Sequence, residues 1–162
     1  MDSLERARPF LMPMGRLRPA NAAVALILDE AGRYLMQLRD ARPDIFFPDH
    51  WGCFGGALEP GETHEAALAR ELWEELRLDA AAVCVERFTE FTFDFGFAGA
   101  GIIDRRYFTL QIESSAIERL SLGEGREMRL FEGPDLLAQA MVPYDRFAVW
   151  MHCYRRELGG AG

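Results

Sequence analysis

A glycine-bearing loop, Gly56-Ala-Leu-Glu-Pro-Gly-Glu62, leads after seven residues into Arg70-Glu71-Leu72-Trp73-Glu74-Glu75. At 3.6 residues per turn, Glu71, Glu74 and Glu75 fall at i, i+3 and i+4 and share a helical arc of roughly 100°. Leu68, Leu72 and Leu76 stand beside that ridge as the buried stripe, so the acids run along the edge of the core, where a cleft can form. Thr63, following Pro60-Gly61, suits the N-cap, and Glu65 suits the positive end of the helix dipole. An ordinary solvated helix would account for Arg70 and Glu74 at i, i+4, but not for its neighbours. Glu71 with Glu75, and Glu71 with Glu74, each cost roughly 0.2–0.5 kcal/mol as like charges one turn apart. A bound hard cation would remove that penalty, and a carboxylate set without imidazole or thiolate suits Mg²⁺ or Mn²⁺ rather than zinc.

From Gly56 to Leu78 the chain resembles the Nudix box, Gly-x5-Glu-x7-Arg-Glu-U-x-Glu-Glu-x-Gly-U, where U is a bulky aliphatic residue. Gly56, Glu62, Arg70, Glu71, Leu72, Glu74, Glu75 and Leu78 agree with it. Arg77 replaces the box glycine, and Phe54 stands where many members have proline before the paired glycines. Neither position supplies a metal ligand in the family, so these departures concern the geometry of the helix end and the loop. The resemblance implies the α/β class, a Nudix-like α/β/α sandwich with a mixed β-sheet between helices. It also implies Glu71, Glu74 and Glu75 as ligands of Mg²⁺, with Mn²⁺ as the alternative ion and the Gly55 carbonyl as a further ligand. Arg70 would hold a carboxylate in place, while Gly56 and Glu62 would support the loop–helix geometry. For the general base, Glu75 is the first choice and Glu124, in Gly123-Glu124-Gly125, the second.

The reaction so implied is hydrolysis of a diphosphate bond in a nucleoside diphosphate linked to another group X, giving a nucleoside monophosphate and phosphorylated X. Two alternatives stay open: a ligand-sensing regulator without turnover, and an isomerase of a small diphosphate. The intact acidic triad speaks against the first, and the additional residues needed by the second are not identifiable.

With 162 residues, 49% of them hydrophobic, the chain has room for one domain with a real core. We expect an irregular N-terminal arm over residues 1–20, a single catalytic domain over 21–158 and a short tail over 159–162. The net charge of −8 opposes broad contact with nucleic acid and favours a small nucleotide or diphosphate substrate bridged through cations. Cys53, Cys84 and Cys153 are odd in number and far apart; they read as packing residues in a reducing compartment. His50, His64 and His152 lack metal-ligand spacing and read as surface or packing residues. The arm carries Arg6, Arg8, Arg16 and Arg18 broken by prolines, without a continuous apolar run, so a cytoplasmic protein without membrane attachment is expected. Packing of the arm on a partner, giving a homodimer, is left open.

Ala23 to Leu28 and Tyr34 to Leu38 predict a hairpin about the turn at Asp29 to Gly32. Arg39 ends the second strand. Its residue type reads as a surface salt bridge, whereas the resemblance implies a contact to substrate phosphates. Phe91, Phe93, Phe95 and Phe97 alternate with Thr92, Asp94 and Gly96, which puts four rings on one strand face; we expect that face to pack in the core rather than to stack bases. Gly96 to Gly101 reads as a hairpin tip, because a strand rather than a helix follows it. Phe147, Met151, Tyr154 and Leu158 share helical spacing and predict a core-packing helix over Tyr144 to Leu158.

Overall fold

The computed structural model describes residues 19–96 and 101–159. The expected arm up to residue 18, Phe97 and most of the glycine-rich tip lie outside the described residues.

Strand β1 (Ala22–Leu28) is buried along its whole length, as its uninterrupted apolar sequence requires. Its alternate residues feed two cores: Val24, Leu26 and Leu28 point to one, Ala23, Ala25 and Ile27 to the other. β2 (Tyr34–Leu38) returns antiparallel through a turn in which Asp29 Oδ1 accepts from the amides of Ala31 and Arg33. β3 (Trp51–Gly52) pairs with β2, and β4 (Phe54–Ala57) runs antiparallel to the N-terminal part of β1. On the other side, β5 (Val85–Asp94) and β6 (Ile102–Gln111) form a long antiparallel pair, and β6 lies parallel to β1. β7 (Glu127–Phe131) adds to β2, completing a mixed seven-stranded sheet.

Helix α1 (His64–Leu76) covers one face through Leu68, Leu72 and Leu76, which pack with Phe54 and Leu110. Two short helices follow in the chain, α2 (Ser114–Ile117) and α3 (Gly133–Leu137). Helix α4 (Pro143–Cys153) covers the other face through Ala148 and Val149, packed with Val24 and Tyr107, and α5 (Arg155–Leu158) ends the described chain. The expected sandwich is therefore present. Among the described residues no helix is long and apolar enough to cross a membrane.

The C-terminal helix turns a different face inward from the one its apolar spacing predicts. Its buried residues are Asp145, Ala148, Val149 and His152, whereas Phe147 is 51% and Leu158 54% exposed. Small Ala148 and Val149 let the helix approach the sheet. The polar members of the stripe are tolerated because each is bonded: Asp145 accepts from the Cys53 amide (2.9 Å) and the Tyr107 hydroxyl (2.6 Å), and the Tyr34 hydroxyl lies 2.7 Å from His152 Nδ1. Burial pushes His152 down to about 4, so at neutral pH its imidazole is uncharged and shares a hydrogen bond with the neutral Tyr34 hydroxyl. Of the cysteines expected to pack, Cys53 is buried and Cys153 half-buried, but Cys84 is exposed.

Candidate active site

The acid-bearing helix is built as its local sequence directs. Thr63 Oγ1 accepts from the Ala66 amide at 3.2 Å, and the helix closes at Arg77, whose amide donates to Trp73 O while that of Leu78 donates to Leu72 O. Arg77 has φ 56°, in the left-handed region that glycine enters without penalty, and its guanidinium lies 5.6 Å from the Trp73 ring centroid. The helix thus ends at the position where the box carries glycine.

Arg70 is the hub of the ridge. Its Nε and Nη2 donate to the two carboxylate oxygens of Glu62 (both 2.9 Å), its Nη1 to Glu71 Oε1 (2.7 Å) and Glu74 Oε2 (3.3 Å), and its Nη2 also to the Ala57 carbonyl (3.0 Å). Glu62 in addition accepts from the Glu59 amide (2.8 Å); its bonds to Arg70 bring its carboxyl down to about 2. One guanidinium therefore ties the loop, strand β4 and the helix into one unit.

Glu75 does not reach Arg70 and is 4% exposed. Its Oε2 accepts from the Gly55 amide at 2.7 Å and its Oε1 from Gln37 Nε2 at 3.1 Å; Gln37 Nε2 also lies 3.2 Å from the Cys53 carbonyl. Both donors are neutral, and Glu75 has no ion pair among the described residues. Burial pushes its carboxyl up to about 8, with Glu71 and Glu124 adding repulsion. Glu71 is raised too, by burial first and then by Glu74 and Glu124, against the pull of Arg70. Gly56 makes room for the Glu71 carboxylate, and Gly55 for the neighbouring strand. A Cβ on Gly56 would stand 2.6 Å from Glu71 Oε1, and one on Gly55, at φ 121°, would run into the Ala23 carbonyl.

Glu124 is exposed on a loop pinned to the same helix: the Gly123 amide donates to the Glu75 carbonyl at 2.7 Å and the Ser121 amide to Leu76 O at 3.2 Å. Among the described residues no three His, Cys, Asp or Glu side chains form a ready metal-ligating group. Arg70 bonds Glu71 and Glu74, while Glu75 is held by the Gly55 amide and Gln37.

Beside the glycines a cleft of about 920 Å³ opens on the α4 face of the sheet, between β4 at one end and Phe91, Phe93 and Phe95 at the other, with Tyr144 and Phe47 along its wall. This corrects the expectation for the aromatic strand. Phe91 touches the core, but Phe93 and Phe95 are half-buried, absent from both core clusters and part of the cleft lining. The alternation of rings is as expected; Phe91 and Phe93 meet Phe147 and Tyr144 of helix α4, and the same face lines the open cleft. Arg39 also lines the cleft, and its Nε donates to the Phe46 carbonyl at 2.8 Å; it makes no ion pair among the described residues. The sequence reading missed Gln37, Arg105 and Asp145. A lone amide in an otherwise apolar strand was a usable signal for Gln37, whereas the other two show their roles only through partners far away in the chain.

Among solved structures the fold is similar to the E. coli dihydroneopterin triphosphate pyrophosphohydrolase, with TM-score 0.66 and 20% identity over 86% of this chain and 98% of that one. It is likewise similar to the NUDIX domain of Shewanella oneidensis NrtR complexed with ADP ribose, with TM-score 0.66 and 14% identity over 96% of this chain and 99% of that one. In sequence it is 45% identical over 62 residues to the nucleoside triphosphatase NudI of Enterobacter sp. (strain 638), a match covering 37% of this chain and 43% of that protein. The matches span less than half the length of the curated relatives. The family model that describes the NUDIX domain matches residues 18–157, which takes in the acidic helix, the sheet and the cleft together: the chain belongs to the NUDIX family.

Proposed function

We propose that the chain hydrolyses a diphosphate bond in a nucleoside diphosphate linked to another group X, with a divalent cation held by Glu71, Glu74 and Glu75. The observation that carries this reading is the charge balance at the glycine strand. Among the described residues Glu62, Glu71 and Glu74 share the single guanidinium of Arg70, and the more deeply buried Glu75 beside them has only neutral donors. A half-buried, all-oxygen donor set with surplus negative charge fits a hard cation, Mg²⁺ or Mn²⁺. Bound there, the ion would neutralise phosphate charge and acidify the attacking water.

The chain's own residues do the rest. Arg70 holds Glu71 and Glu74 on the helix edge, and Gly55 and Gly56 let the diphosphate approach the backbone, with the Gly55 carbonyl as a further oxygen donor. Arg39, at the cleft wall, steadies phosphate oxygens. Glu75 accepts the proton of the water, with Glu124 as the alternative because its charge reaches both Glu71 and Glu75. Residues 21–158 form the catalytic unit in this reading, and the half-buried rings of β5 receive the nucleoside.

Incubation with a panel of nucleoside diphosphate derivatives, with Mg²⁺ and with chelator, tests it. We expect a nucleoside monophosphate and phosphorylated X in Mg²⁺ only. Binding without products would support a sensor instead, and a single rearranged product an isomerase. Glu124→Gln separates the two bases: a lower kcat at unchanged KM assigns the base to Glu124, and an unchanged rate leaves it with Glu75.

A further inference from the structure

One row across the sheet runs from the glycine strand into the aromatic end of the cleft. Ala57 on β4 pairs with Ala22 on β1, Ala22 with Arg105 on β6, and Arg105 with Phe91 on β5. Two alanines leave the floor low, and the first side chain to rise from it is a cation two strand spacings from β4, roughly 10 Å. Arg105 is therefore removed from the carboxylates and stands among rings.

Its surroundings hold it still. The guanidinium carbon lies 4.0 Å from the Tyr144 ring centroid, Nε donates to the Tyr107 hydroxyl at 3.0 Å, and Nη2 contacts Asp145 Oδ1 at 3.3 Å. Asp145 is itself fixed by the Tyr107 hydroxyl and the Cys53 amide. The side chain is only 18% exposed, yet Nη1 has no acceptor among the described residues and is not among the buried atoms left without a partner. Its donors consequently open on the cleft that Arg105 lines.

We propose that Arg105 is a specificity-determining residue: it donates to the acceptor edge of an aromatic base stacked on Phe91 and Phe93, selecting bases that carry a carbonyl oxygen there over bases that carry an amino group. The reasoning is chemical. A guanidinium has donors only, so an exocyclic oxygen and a ring nitrogen acceptor satisfy it, while an amino group presents a second donor and leaves both unpaired. An already immobilised fork, largely withdrawn from water, makes that difference large. The proposal names the substrate preference of the site described under Proposed function, but base selection can be read without turnover.

The test is equilibrium titration, in chelator and followed by intrinsic fluorescence, with inosine, adenosine and purine riboside 5′-monophosphates; the three share the N7 acceptor and differ at the 6-position, which is oxo, amino or bare, the oxo base also carrying a proton on N1. Wild-type protein is expected to bind the inosine nucleotide roughly tenfold or more tightly than the other two. Arg105→Gln and Arg105→Lys are expected to bring the three within a few-fold of one another while affinity for inorganic pyrophosphate stays the same. Equal affinities in the wild type would overturn the proposal, as would unaltered discrimination in folded variants. Equal weakening for every ligand, pyrophosphate included, would also overturn it by assigning Arg105 to phosphate. Should the variants not fold, the wild-type comparison still decides. Discrimination in binding without cleavage of any nucleoside diphosphate derivative would leave the proposal standing and remove the hydrolase reading instead.

Discussion

Glu75→Gln is expected to stabilise the cation-free protein at alkaline pH and at the same time to abolish turnover. The carboxyl of Glu75 is buried and raised from the ordinary 4.5 to about 8. For an acid raised on folding the sign runs against the more familiar paired carboxylate. Below about pH 4.5 both folded and unfolded chains are protonated, and no penalty exists. Between there and about pH 8 the unfolded chain releases its proton while the folded one keeps it, so stability falls as pH rises; above pH 8 the penalty is complete. At about 1.36 kcal/mol per unit this sets a ceiling of roughly 5 kcal/mol. Glutamine keeps the shape and carries no charge. Its oxygen can accept from the Gly55 amide, and Gln37 can turn its own amide oxygen toward the new NH₂ group. Urea unfolding in chelator should therefore find the two proteins within about 1 kcal/mol at pH 4.5, and the variant ahead by roughly 2–5 kcal/mol at pH 9. Turnover in Mg²⁺ should drop by about 10²-fold or more. A difference in stability that does not change with pH would refute the account of Glu75 as an uncompensated buried acid, and near-normal turnover would refute its place in the site.

Two further outcomes follow from the geometry. Phe93→Ala removes a half-buried ring that touches Phe91, Phe95 and Tyr144, so melting should cost roughly 1–2 kcal/mol rather than the 3–5 kcal/mol of a fully buried phenylalanine. Loss of stacking worth about 1–3 kcal/mol should raise KM for nucleotide substrates by roughly 5- to 150-fold; a large fall in Tm with unchanged KM would return the ring to the core. Arg77→Gly relieves a left-handed residue worth about 1–2 kcal/mol and gives up a ring contact worth about 0.5–1 kcal/mol, so urea unfolding should register a gain of up to about 1.5 kcal/mol. A clear loss would mean that the Trp73 contact outweighs the strain.

The acidic helix was legible in the sequence because its determinants are local. Period 3.6 groups Glu71, Glu74 and Glu75, Thr63 caps the first turn, and the leucines name the buried stripe; each depends on residues within one or two turns. The β1–β2 hairpin was legible for the same reason, with Asp29 closing its own turn. What covers a face is a different matter. Alternation in β5 says that Phe91, Phe93 and Phe95 share a side, but whether that side meets a helix or a cleft depends on where α4 begins to cross the sheet, and that is set by Pro143 and by Asp145 reaching the Cys53 amide. In α4 itself the hydrophobic stripe lost to one containing Asp145 and His152, because partners from β6 and β2 satisfy those polar groups and small Ala148 and Val149 permit close approach. Gln37 and Arg105 likewise take their meaning from Glu75 and Asp145, 38 and 40 residues away. Local chemistry is written in neighbouring residues, whereas the burial of a polar group depends on whether the folded chain brings it a partner.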